Sequence, residues 1–175
     1  MSHEKETRFA ITRYLVDKLK DVGKTKIQKL VYFLQYAFDV PLDYVFRMHY
    51  YGPYSEELDD DLIEMKLHRY IDITPDPAGC GYHIQPGSEF IDWVENTTKP
   101  YAQQLNNCFD KLGGYNIQEL ELLGTLHFVQ YLALTSSEGK GKDQIVDKVA
   151  TLKPVFDKSE IERFYEVLQD LVNAE

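Results

Sequence analysis

A chain of 175 residues, 43% of them hydrophobic, is long enough for one substantial core or for two small lobes that share one. Its formal net charge of -10 works against nucleic acid, because duplex binding draws most of its affinity from Lys and Arg on phosphates. Cys80 and Cys108 mark no disulfide framework, the N-terminus lacks an apolar signal region, and no apolar run is long enough for a bilayer, so a cytoplasmic setting is expected.

The first predicted helix runs from about Thr7 to Leu19, with Ile11, Tyr14, Leu15 and Leu19 on one face, and Val22-Gly23 is read as its stop. The second starts near Thr25. Ile27, Leu30, Val31, Leu34 and Phe38 form its stripe, and Tyr32, Phe33 and Tyr36 make much of the remainder aromatic, which predicts burial on more than one side. Tyr44 to Tyr51 alternates aromatic and polar residues as a strand does, and Gly52-Pro53 turns the chain. Ser55 is a suitable N-cap for a third helix reaching about His68. A hairpin follows, with strands near Arg69–Thr74 and Tyr82–Pro86 and a Pro- and Gly-rich tip.

Beyond it the chain reads as helices only. Ser88 caps a helix carrying Phe90, Ile91 and Val94, and Leu105, Cys108, Phe109 and Leu112 stripe the next. Asn116 with Glu119 has the capping-box pattern for a mostly apolar helix over Ile117–Leu134. The stretch Ser136 to Lys142 is a loop, Ile145, Val146 and Val149 sit on a short helix, and Asp157 with Glu160 opens the last one. The expected fold is α+β and mostly α. A winged-helix-like region (1–87) has a small three-stranded sheet, and a helical region (88–175) packs on it as one unit.

The third helix bears Glu56, Glu57, Asp59, Asp60, Asp61 and Glu64 on its expected outer face. First-turn carboxylates favour the helix dipole, but a major-groove reader uses Arg, Lys, Asn or Gln. Lys24, Lys26 and Lys29 gather instead on the second helix, either as a solvated face or as a site for an acidic partner. Tyr32, Phe33 and Tyr36 with Tyr50, Tyr51 and Tyr54 make an aromatic seam, either core or a groove for a protein segment.

Catalytic patterns are absent. Cys80 and His83 lack further ligands at zinc spacing, His49 reads as half-buried and His127 as core, and no nucleophile elbow or phosphate cradle is present. No metal or cofactor is expected.

Lys26-Ile27-Gln28-Lys29-Leu30-Val31-Tyr32-Phe33-Leu34-Gln35 resembles the K-L-Q-K-L-L-Y-F-x-Q helix of the Panacea domain family, which includes SocA-type antitoxins and proteolytic adaptors and the phage GepA proteins. His49-Tyr50-Tyr51-Gly52-Pro53-Tyr54, then Glu57-Leu58, is similar to the family's second signature, with Tyr54 where Val is usual. Gly81-Tyr82-His83-Ile84 and Leu152-Lys153-Pro154 with Phe156 look closest to the YwgA-like bacterial branch.

The resemblance implies no enzyme. It implies a module that binds another protein: a toxin-like or regulatory client, or a protease to which that client is presented. The expected partner surface is Tyr32, Phe33, Tyr36, Tyr50, Tyr51, Tyr54, Lys26 and Lys29. The alternative is a winged-helix DNA-binding transcriptional regulator, and a homodimer through the last helix remains open.

Overall fold

Ser2 begins the first helix, α1 (His3–Leu19), by accepting the Lys5 N–H on its hydroxyl, and Phe9, Ile11, Leu15 and Val16 turn inward. The structure, a computed structural model, describes residues 2–79, 81–89, 92–135 and 141–173. Lys20, at φ +64°, ends α1. Val22-Gly23 is therefore not the stop expected of it but a short strand, β1 (Val22–Gly23).

Helix α2 (Lys24–Tyr36) is buried without interruption from Ile27 to Leu34, as its apolar and aromatic content predicts. After it, Val40, Leu42, Tyr44 and Phe46 point inward between exposed Pro41, Asp43 and Val45. That alternation is strand-like, yet only β2 (Arg47–His49) forms a ladder, with β3 (Gly52–Tyr54), so the chain turns at Tyr50-Tyr51 and Gly52-Pro53, expected to be the turn, opens the second strand instead. The expected strand from Tyr44 is shortened because the Gln35 side chain takes both backbone groups of Tyr44, each at 2.9 Å.

Ser55 caps α3 (Glu56–Leu67) through the Leu58 N–H, as expected. The predicted hairpin is β4 (Ile71–Pro75) and β5 (Tyr82–Pro86). Its third strand is β1, which pairs Val22 with Ile84 to give the order β1-β5-β4. Helix, strand, helix, helix and hairpin, with the first strand beside the last, is the order and pairing of a winged helix. The β2–β3 hairpin is an addition between α2 and α3.

The second half is helical: α4 (Val94–Thr98), a 3-10 turn (Lys99–Tyr101), α5 (Ala102–Leu112), α6 (Ile117–Thr135), α7 (Lys142–Leu152) and α8 (Lys158–Val172). Phe90 and Ile91, expected on a helix begun by Ser88, lie outside the described residues, as do residues 136–140 of the expected loop. The capping box forms: Asn116 Oδ1 accepts the Glu119 N–H at 3.0 Å, and Glu119 Oε2 accepts the Asn116 N–H at 2.8 Å. Asp157 stands at the N-cap of α8 without a side-chain bond.

Helix α6 packs against α2, β3, α7 and α8, and one buried cluster runs from Phe9 through Leu123 to Leu171. The fold is α+β and mostly α. No helix among the described residues is long and apolar enough to cross a membrane.

Candidate partner-binding site

Helix α2 carries polar residues where its surroundings are apolar, and each of them is bonded internally. Gln28 holds the backbone of Ser55 from both sides, donating to its carbonyl and accepting its N–H, each at 2.9 Å. Lys29 donates to the Pro53 carbonyl at 2.6 Å, and Lys26 donates to the carbonyls of Gly113 and Tyr115. A 2.6 Å hydrogen bond joins the Tyr32 hydroxyl to His127 Nδ1. Buried polar groups require such partners, since a lost one costs about 1–3 kcal/mol.

Lys29 is 1% exposed, and burial pushes its ammonium from the usual 10.5 down to about 7, with Glu121 opposing the shift and Lys153 adding to it. Burial likewise lowers His127 to about 4, so its ring is neutral near pH 7.

These bonds position the β2–β3 hairpin. Gly52 sits at φ +84°, and a Cβ there would lie 3.2 Å from the Glu121 carbonyl oxygen and 3.3 Å from Lys29 Cε. Pro53 meets α6 at Gly124, where a Cβ would come within 3.2 Å of Pro53 Cδ. From the other side, the buried Lys153 pairs with Glu121 at 2.5 Å and donates to the Tyr50 carbonyl. The turn between β2 and β3 is thus held by α2, by α6 and by the connection from α7 to α8.

The turn residues themselves face outward. Tyr50 is 78% exposed and Tyr51 54%, and their rings meet edge to face with centroids 4.9 Å apart. Leu152 and Val155 flank the Lys153 that touches Tyr50, and both are exposed. Beside Tyr51 opens a cleft of about 420 Å³, bounded by Lys24, Thr25, Gln28 and Lys29 of α2, by His49, Gly52 and Tyr54 of the hairpin, and by Glu56.

The expected seam is therefore divided. Tyr32 and Phe33 are core, Tyr36 is half-buried against Phe46 and Tyr131, and Tyr54 is half-buried in the cleft wall. Lys29 is buried, and Lys26 is tied to backbone carbonyls. The reading of Lys24, Lys26 and Lys29 as a solvated face is corrected, because Lys24 too is engaged, by Asp59.

The acidic face of α3 is corrected in the same way. Asp61 is buried and accepts the Tyr44 hydroxyl at 2.7 Å, with burial raising its pKa. Asp59 pairs with Lys24 and Glu64 with Lys5, which leaves Glu56, Glu57 and Asp60 exposed.

His49 is exposed and lies 5.3 Å from the Tyr54 ring, not half-buried as expected. His127 is in the core as expected. Cys108 is buried, and burial raises its thiol to about 12, so it is unreactive. Cys80 lies outside the described residues. His83 bonds Asp21 at 2.8 Å and faces Asp76 at 3.5 Å. Among the described residues, no group of three or more His, Cys, Asp or Glu is placed to hold a metal ion.

The sequence does not mark Glu121, Gly124 or Val155 as site residues, and Leu152 and Lys153 enter only through the resemblance. Their signal in the sequence is a glutamate on the otherwise apolar α6 and two apolar residues astride Lys153-Pro154, just past the end of α7. A scan against protein-family models matches none, and a search of curated proteins finds no match.

Proposed function

We propose that the chain is a non-catalytic, cytoplasmic module that binds another protein, similar in role to the antitoxins and proteolytic adaptors its two motifs resemble. The observation that carries this reading is the pair Tyr50 and Tyr51, largely exposed on a turn anchored from three sides. Exposed aromatics on a rigid support lose little conformational entropy on binding and are common hot spots. The client is a toxin-like or regulatory protein, and a protease is a second candidate partner.

The test is affinity purification of the tagged chain from its native cells, with quantitative mass spectrometry, beside Tyr51→Ala. One stoichiometric protein that falls at least about tenfold with the variant supports the reading. Recovery unchanged by the variant removes this surface from it.

The β1-β5-β4 order favours a second reading, a DNA-binding regulator. Against it stand Glu56, Glu57 and Asp60 on α3 and the lack of Lys or Arg from Ile71 to Gly87. A gel shift at low salt with native genomic fragments decides it.

A further inference from the structure

We propose that the segment bound at this hairpin is both apolar and cationic: its apolar side chains cover Tyr50, Tyr51, Leu152 and Val155, and its Lys or Arg residues reach Glu56 and Asp60. This rests on the protein-binding reading above and specifies the partner's chemistry.

Two adjoining surfaces of opposite character support it. On one side, Leu152 and Val155 stand on either flank of Lys153, with Val155 79% exposed. The one cation in that stretch is withdrawn, because its ammonium bonds Glu121 and the Tyr50 carbonyl. What remains outward is two tyrosine rings and two aliphatic side chains, the composition of an interface centre.

On the other side is unneutralised acid. Glu56, Glu57 and Asp60 hold no ion pair among the described residues, whereas Asp59 and Glu64 on the same helix do. Glu56 and Asp60 act on the cleft wall: the Tyr54 hydroxyl is raised by burial first, then by its bond to Asp59, then by the charges of Asp59, Glu56 and Asp60. Arg47 lines a neighbouring hollow with Glu56 and Glu57 without an ion pair to either among the described residues, and of the two lysines that bound the cleft Lys24 pairs with Asp59 and Lys29 donates to the Pro53 carbonyl. The helix dipole accounts for carboxylates in the first turn of α3, but not for Asp60, one turn in.

The cleft joins the two surfaces, with Tyr51 on one rim and Glu56 on the other. Its 420 Å³ has room for a single long side chain. A Lys or Arg lying there keeps its methylenes against Tyr51 and Tyr54 and its charge at Glu56. The chain's net charge of -10 draws such a segment in from a distance.

The probes are three fluorescein-labelled amphipathic peptides of equal length: Leu/Lys, Leu/Glu and Ser/Lys. Binding to the full chain is read by anisotropy at low and high salt, and located by amide chemical shifts. The expected result is that Leu/Lys binds at least about tenfold tighter than either other peptide, weakens with salt, and shifts Gly52, Leu152 and Glu56. The double variant Glu56→Gln, Asp60→Asn then weakens Leu/Lys while leaving the urea midpoint near wild type, and Tyr51→Ala does the same.

Equal or tighter binding of Leu/Glu, shifts centred elsewhere, or no binding by Leu/Lys overturns the proposal. Sedimentation showing a dimer that Val155→Glu dissolves assigns the surface to a second copy and also overturns it. A stoichiometric partner that depends on Tyr51 but contacts it through an acidic segment leaves the protein-binding reading standing and removes this one. Recovery of no partner removes both.

Discussion

Helix α2 and the tip of the β2–β3 hairpin are both tyrosine-rich, and they use those tyrosines in opposite ways. Tyr32 is 1% exposed, packed edge-on to Phe33, Phe46 and His127 and bonded to His127. Tyr50 and Tyr51 have the same side chain at the turn that leads into Gly52-Pro53, and both are exposed. Between the two lie Gln28 and Lys29, whose bonds to Ser55 and Pro53 fasten one region to the other. The buried region is a scaffold and the exposed one is what it displays. Residue type alone does not distinguish them.

The sharpest way to break this division is Tyr32→Ala. Removing a fully buried ring and leaving His127 without its partner is expected to cost about 3–5 kcal/mol, measured by urea unfolding. Partner capture would then fall only because the fold does. Survival of the fold with loss of capture would place Tyr32 in the interface and end the comparison.

Lys153→Met comes next. It leaves Glu121 buried without its cation, at about 3–5 kcal/mol for a fully buried pair and less here, because Glu121 keeps some solvent contact. It also frees the Tyr50 carbonyl, so faster amide exchange in residues 49–53 is expected ahead of global unfolding.

Lys29 sharpens the comparison through pH. Its pKa is about 7 folded against 10.5 unfolded, so between those values the unfolded chain binds more protons. Stability therefore rises with pH through that window, and below it the cost of burying the charge is present in full. Relative to Lys29→Met, which does not titrate, wild type should gain about 2 kcal/mol from about pH 7 to about pH 9. Parallel pH profiles would show that Lys29 titrates normally and is not buried in solution.

The smallest stability effect belongs to the displayed region. Tyr50→Ala and Tyr51→Ala should change unfolding by no more than about 0.5 kcal/mol each, as surface substitutions do. A cost above about 2 kcal/mol would mean that the tip packs on something in the free chain.

Most of the fold was legible because periodicity and capping are local signals. The stripes of α1, α2, α5 and α8, the Ser55 cap and the Asn116–Glu119 box all follow from residues within a few positions of one another. Local reading missed long-range pairing. Nothing near Val22 announces that it pairs with Ile84, and nothing near Tyr44 announces that Gln35 would hold its backbone and so exclude it from a ladder.

The site was half legible for the same reason. The tyrosines just before Gly52-Pro53 were identified from their own segment, though the turn falls on them and not on Gly-Pro. The burial of Lys29, the engagement of Lys26, and the arrival at Tyr50 of Lys153, which has Leu152 and Val155 close to it in the chain, depend on α5, α6, α7 and the chain between them. A lysine or glutamine inside an otherwise apolar helix was the available signal, and it points to an internal lock before it points to a solvated face.

The most direct test places a photo-crosslinking amino acid at Tyr51, at Val155 and, as a control, at the exposed Lys66 near the end of α3, in the full chain in its native cells. The account predicts one protein crosslinked from both Tyr51 and Val155 and not from Lys66. No adduct from either surface position, or the same adducts from all three, would contradict the claim that this anchored hairpin tip is where the chain meets its partner.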